Sequence, residues 1–175
     1  MTSPSHVELL VAFTNSRDHE VGTDDLASRP QLTGWLLDHG LLDRRLTSTD
    51  ADLVLAHQLR DGLHRALVSH HDGSFDHRAL EAAAAHLPLQ LSGAAEQPGL
   101  RPLHGGVRGA LTHLLIAVHS AVADDTWRRL KICSAADCVW AYFDTTKNRS
   151  RTWCEWGCGN RIKTRNYRAR KKATA

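Results

Sequence analysis

All four cysteines of the chain fall within 26 residues, as Cys133-x4-Cys138 and Cys154-x3-Cys158 with fifteen residues between the pairs. Each spacing brings two thiolates round one tight turn, and two such turns supply the corners of a tetrahedron. Zinc suits that arrangement, because it imposes no ligand-field geometry and binds thiolate sulfur strongly. The fifteen-residue separation also matches the usual span between the halves of a finger. Four thiolates leave no coordination position for water, so one structural Zn2+ is expected at Cys133, Cys138, Cys154 and Cys158, not a catalytic one. Buried free thiols, two disulfides and an iron–sulfur cluster remain alternatives at this point.

The second group able to do chemistry follows at once. From Arg161 the chain reads RIKTRNYRARKKATA, with Lys163, Arg165, Arg168, Arg170, Lys171 and Lys172 behind Arg161. On a helix, Arg161, Arg165, Arg168 and Lys172 share one face. Like charges on one face destabilise a free helix, so a polyanion is implied, and the phosphates of duplex DNA are the expected partner. Arg149 and Arg151, just before Trp153, extend the basic set, while Asn160, Asn166 and Tyr167 offer hydrogen bonds and a stacking ring. A solvated tail is the plainer reading of the same residues. Arg161 has a second candidate role, packing on the finger and bonding its carbonyls.

The net charge of +3 conceals this asymmetry. Residues 1–146 hold 12 Lys/Arg against 18 Asp/Glu; residues 147–175 hold 10 against the single acid Glu155. An acidic body with a basic end suits a body that senses or assembles and an end that meets nucleic acid.

The elements that position these groups read as mainly helical with a small β-hairpin. The segment His6–Arg17 is ambiguous between helix and strand and is assigned as helix. Pro30 opens a short helix to Asp38 that buries Leu32, Trp35 and Leu36, and Gly40 stops it. The clearest helix runs from Asp50 to His71, capped by Ser48, Thr49 or Asp50, with Leu55, Leu59, Leu63, Ala66 and Leu67 as its stripe. Gly62 there is a mild cost, and His70-His71 complement the helix dipole. A shorter Ala-rich helix spans Asp76 to His86. Leu87–Leu91 and Leu100–His104 read as a hairpin. A long helix from Val107 to Arg129 turns Ala110, Leu111, Leu114, Leu115, Val118, Ala121 and Val122 inward and leads directly to Cys133, holding the finger close to the body. Within the finger, Asp144, Lys147, Asn148 and Ser150 read as the turn of a hairpin. Its flanks are Trp140, Tyr142 and Phe143 on one side and Trp153 on the other. The expected architecture is a helical domain over 1–129 and a finger over 130–175 built as a treble-clef or knuckle-like hairpin with a basic helix.

No apolar run approaches the ~20 residues that span a bilayer, and Met1 to His6 shows no secretory signal. A cytoplasmic, nucleoid-associated protein is expected. The twelve histidines, all between 6 and 119, are scattered, without the spacing of a metal site. No nucleophile elbow or phosphate-cradling glycine loop is found, so no enzyme is expected. The polar trio Thr14-Asn15-Ser16 beside apolar Leu10–Phe13 marks a candidate effector pocket with Asn15 as its polar contact; the alternative is that Asn15 caps a helix or fixes a turn.

The string Cys158-Gly159-Asn160-Arg161, preceded by Trp153-Cys154, by Tyr142-Phe143-Asp144-Thr145 and by Arg149 and Arg151, resembles the CGNR zinc finger. Phe13-Thr14-Asn15-Ser16 resembles the Phe-x-Asn-Thr near the start of the ABATE domain that precedes that finger. The resemblance extends over the whole chain, with its specific motifs in the last ~45 residues. It implies a bacterial stress-induced transcription regulator. The chain departs from the family in its second pair, usually spaced x4, and Gly157 is expected to absorb the tighter x3 turn. The leading expectation is a zinc-dependent DNA-binding regulator whose body senses a small-molecule effector or forms a homodimer. The alternatives are a protein-interaction zinc module without DNA binding and a thiol/zinc redox switch.

Overall fold

The computed structural model describes residues 5–43, 46–93 and 98–173. Three helices form the centre of the body because each carries its apolar residues on one face. Helix α1 (Ser5–Thr14) buries Val7, Leu10 and Phe13, and packs on α3 (Asp50–Val68) and α5 (Gly106–Ala123). The α3 stripe Leu55, Leu59, Leu63, Ala66 and Leu67 is buried as its spacing predicts. Thr49 caps α3 in a reciprocal box: Asp52 N donates to Thr49 Oγ1 (3.1 Å), and Thr49 N donates to Asp52 Oδ2 (2.9 Å). Helix α2 (Arg29–Asp38) buries Leu32, Trp35 and Leu36. It ends where Gly40 takes the left-handed φ of 67°.

Helix α4 (Arg78–Ala84) lies against α3 at Gly62. A Cβ added at Gly62 would stand 2.8 Å from both the Leu80 Cα and its backbone nitrogen. This glycine is the contact that lets the two backbones close, not a mere cost to α3. Gly62→Ala should therefore destabilise the chain by about 1–3 kcal/mol, overriding the ~1 kcal/mol gain in helix propensity. Urea unfolding checks it, and a more stable variant would refute the close-approach reading.

Strands β1 (Arg17–Asp18) and β2 (Thr23–Asp24) form a two-residue ladder that the sequence does not announce. Arg60 of α3 fixes it: its buried guanidinium donates to both Asp24 carboxylate oxygens (2.7 and 2.8 Å) and to Ser16 Oγ (3.0 Å). The expected hairpin is β3 (Leu89–Ser92) antiparallel to β4 (Gly99–Pro102); the middle of its connection, 94–97, lies outside the described residues.

Several helix ends differ from the sequence reading: α1 closes at Thr14, short of Arg17, which lies in β1, and α4 is shorter than Asp76–His86 at both ends. Helix α3 stops at Val68, so His70 and His71 lie beyond it. Helix α5 stops at Ala123, and Asp125, at φ 61°, breaks the path before a short 3-10 turn at Trp127–Arg129. Val122 consequently faces outward, 57% exposed. By length and composition α5 could cross a membrane, yet 44% of it is buried within the fold.

The finger's first hairpin, β5 (Leu130–Ile132) antiparallel to β6 (Ala141–Phe143), differs from the expected one. β6 pairs with the strand before Cys133, not with residues near Trp153. Leu130, Ile132 and Ala141 belong to the core of the body, whereas Cys133, Ala135, Tyr142, Cys154 and Cys158 form a second small cluster. The finger is thus rooted in the body. Helix α6 (Cys158–Ala173) leaves it as an exposed rod.

Candidate metal centre and nucleic-acid interface

Cys133 and Cys138 occupy the loop joining β5 to β6. The backbone shapes this knuckle: Cys133 N donates to Trp140 O (2.8 Å), and Cys138 N to Ala135 O (2.9 Å). The second pair sits where α6 begins. Gly157 adopts φ 79°, the left-handed turn that the x3 spacing requires, and Arg161 N donates to its carbonyl (3.0 Å) as α6 starts. The four Sγ atoms all lie within 4.8 Å of one another. Cys138–Cys154 and Cys154–Cys158 stand 3.8 and 3.6 Å apart. A tetrahedron of ~2.3 Å Zn–S bonds has edges of about 3.8 Å, and a disulfide would need ~2.05 Å.

The electrostatics ask for a cation. Burial pushes the Cys138 and Cys154 thiols up, Cys154 to about 11. Cys133 is lowered despite its burial, because the backbone N–H groups of Cys154 and Ala135 point at its sulfur. Four thiolates at this spacing repel one another unless a metal sits between them. The donor set, closure and edge lengths fit one structural zinc. Cys158 opens α6. Arg161 Nη2 donates to Cys158 Sγ (3.5 Å) and pairs with Asp137 (2.8 Å).

A buried ion pair that sequence reasoning missed organises the loop between the knuckles. Lys131 Nζ donates to Asp144 Oδ2 (2.8 Å) and to the carbonyls of Arg149 and Arg151; the two side chains are 6% and 0% exposed. Asp144 also accepts from Thr146 N, Thr146 Oγ1 and Arg151 N (2.9, 2.6 and 2.9 Å). Asp144, read as part of an exposed turn, is instead the centre of the loop. Of the predicted phosphate contacts, Arg149 pairs with Asp125. Arg151 donates to Trp153 O (2.8 Å) and Glu155 (3.1 Å), and lies over the Tyr142 ring. Arg149 thus reaches from the finger loop to the turn after α5, and Arg151 braces the second knuckle. Gly159 packs under Trp153, where an added Cβ would meet the indole at 3.2 Å.

Three further side chains dock finger to body. Asn15 Nδ2 donates to Ala141 O (2.9 Å) and Ala141 N donates to Asn15 Oδ1 (2.7 Å), so its amide extends the free edge of β6. It lines a cavity between body and finger, but both ends of its amide are engaged by Ala141. His71 Nε2 donates to Ile132 O (2.6 Å), and His70 Nδ1 donates to Leu130 O (2.7 Å). Both histidines bind the finger strand instead of complementing a helix end.

Residues 129–171 match the model of the CGNR zinc finger, and residues 8–130, more than half of the chain, match that of ABATE, described as "Putative stress-induced transcription regulator". The chain belongs to the ABATE family. No curated protein matches it. In this ABATE chain the Cys-Gly-Asn-Arg string divides its work. Cys158 is the ligand, Gly159 admits Trp153, Arg161 bonds the ligand's sulfur, and Asn160 faces solvent.

His70 gives this junction a pH dependence. Burial lowers its pKa from 6.5 to about 4, and its Nε2 is buried without a partner. The folded state therefore favours neutral imidazole. That stability is complete above pH 6.5 and is lost as pH falls from 6.5 towards 4. Discounted for partial exposure, the loss is ~2 kcal/mol. His70→Asn, which keeps a donor for Leu130 O, should flatten the decline between pH 6.5 and 4 relative to the parent. Parallel curves from urea unfolding at each pH would remove His70 as the cause.

Proposed function

We propose that this ABATE chain is a DNA-binding transcription regulator of the cytoplasm, working at the nucleoid without catalysis. The zinc centre fixes the base of α6, and α6 meets duplex DNA. The observation that carries this is α6 itself, sixteen residues with seven cations and no acid. It is exposed from Lys163 to Lys172. Among the described residues Arg165, Arg168 and Lys172 have no carboxylate partner. Asn160, Arg161, Thr164, Arg165 and Arg168 line one shallow groove along the helix. A helix that concentrates seven cations without an acid of its own is marginal alone and gains most from a polyanion. Backbone phosphates set such a contact without requiring base readout.

The test is a salt titration of zinc-loaded protein on mixed-sequence duplex DNA. The slope of log Kobs against log[salt] falls by ~0.9 for every phosphate that the protein no longer neutralises. Replacing Arg165, Arg168 and Lys172 together with Ala should therefore lower it by roughly 2–3. Arg149→Ala, whose parent side chain is paired within the fold, should change it far less. An unchanged slope in the triple variant removes α6 from the interface.

A further inference from the structure

An open cleft of about 1230 Å³ lies between the ABATE body and the finger. Helices α1 and α2 form one wall, β6 and the Cys154–Trp156 knuckle the other. Two features set its chemistry. Its lining carries four carboxylates, Glu8, Asp25, Asp38 and Glu155, and neither lysine nor arginine. Beside Val11 and Ala12 its apolar lining is aromatic: Phe143 on the finger wall, Trp140 and Trp156 edge to face at the knuckle, 6.3 Å between centroids, and the buried Trp35 with His39 stacked on its ring. Trp156 is 77% exposed, an unusual position for an indole.

Glu8 suits the first turn of α1, but helix stability does not explain Asp38. Asp38 ends α2, where a carboxylate opposes the helix dipole. Glu155 is shared with Arg151, whereas Glu8 and Asp38 make no ion pair among the described residues. Aromatic faces beside unneutralised carboxylates attract a desolvatable cation with an apolar body, and repel anions. The volume accommodates a drug-sized molecule.

We infer that this cleft is the effector site of the protein and takes a small organic cation with an aromatic or bulky apolar body. The inference deepens the regulator reading above and rests on it for the word effector. The site touches both modules through the knuckle that holds two zinc ligands, so an occupant bears on the base of α6.

The probe is tetraphenylphosphonium, with the neutral triphenylphosphine oxide as its control, titrated calorimetrically into zinc-loaded full chain free of DNA. One saturable site for the cation, at least tenfold tighter than for the neutral probe, is expected. Glu8→Gln with Asp38→Asn should weaken the cation about tenfold and leave the oxide unchanged; Trp156→Ala should weaken both. No saturable cation binding, or equal binding of the two probes, overturns the inference. A concentration-dependent dimer that the cation splits would assign the cleft to the basic helix of a second copy and overturn the small-molecule assignment. DNA titration of the same protein keeps the two readings apart. Intact salt-dependent DNA binding without cation binding removes only the cleft, and cation binding without DNA binding supports the cleft and removes only the reader.

Discussion

Stripping the zinc should lower the melting temperature of the whole chain, not of the finger alone. The reason lies in where the finger's hairpin is buried. Leu130, Ile132 and Ala141 are part of the body's core, and His70, His71 and Asn15 bond the backbone of the same two strands. Without the metal, the Cys133–Cys138 loop loses what closes it, and the paired strands lose their far end. Structural zinc contributes ~10–16 kcal/mol in isolated finger peptides. If a third of that reaches the body, stability falls by about 4 kcal/mol, or roughly 10 °C in a chain of this size. Calorimetry of zinc-loaded and chelator-treated protein measures the shift, and Cys158→Ser should reproduce it. A metal-free chain with an unshifted main transition, losing only the α6 helix signal, would show that the body folds independently and would refute the shared core.

What the sequence makes legible follows the strength of each physical signal. The α3 stripe and the α2 stop at Gly40 are readable because helical spacing and a left-handed glycine leave few alternatives. The cysteine quartet is equally plain, since four ligands of one kind in two tight pairs have little other use. The end of α5 is not readable. Val122 continues the apolar spacing without a break, and only the tertiary turn at Asp125 carries the chain away before Trp127. Gly62 looks like a weak point in α3 because its purpose, the approach of Leu80, depends on a helix eighteen residues further on.

The site divides in the same way. Charge counting finds the basic end but cannot separate its cations. Arg149 and Arg151 are as basic by sequence as Arg165 and Arg168, yet the fold pairs the first two and leaves the others to solvent. Asn15 stands out in the sequence for its amide, and the amide matters, but its partner is Ala141, 126 residues away. His70 and His71 meet strand carbonyls that are also remote in sequence, 60 and 61 residues on. One signal for Lys131 is present: a cation between Leu130 and Ile132 in an apolar run, which needs a buried acid, and Asp144 following Tyr142-Phe143 is the acid available.

That pair sets the second large effect. Lys131→Met should destabilise the zinc-loaded protein by about 3–5 kcal/mol, because it strands the Asp144 carboxylate in the interior with no cation. The Lys131 ammonium beside it, Thr146 and the Arg151 amide hold the Asp144 carboxyl below the usual carboxylate range, against the opposing and largest effect of burial. The pair's contribution is therefore present above the unfolded carboxylate pKa near 3.8 and is lost as pH falls below it. Asp144→Asn should cost a similar amount, since one of its amide hydrogens would face Lys131 Nζ and the Arg151 N–H. The double variant should cost less than the sum by ~2 kcal/mol or more, the signature of a shared interaction. Urea unfolding of the four proteins measures the cycle, and an additive result would dissolve the pair. The same variants also separate fold from partner. Lys131 is 5% exposed, so folded Lys131→Met protein should keep the parental salt slope on DNA, while the Arg165, Arg168 and Lys172 variant loses slope and keeps stability. A lowered slope in Lys131→Met would mean that the loop it anchors, with Arg149 and Arg151, reaches the phosphates after all.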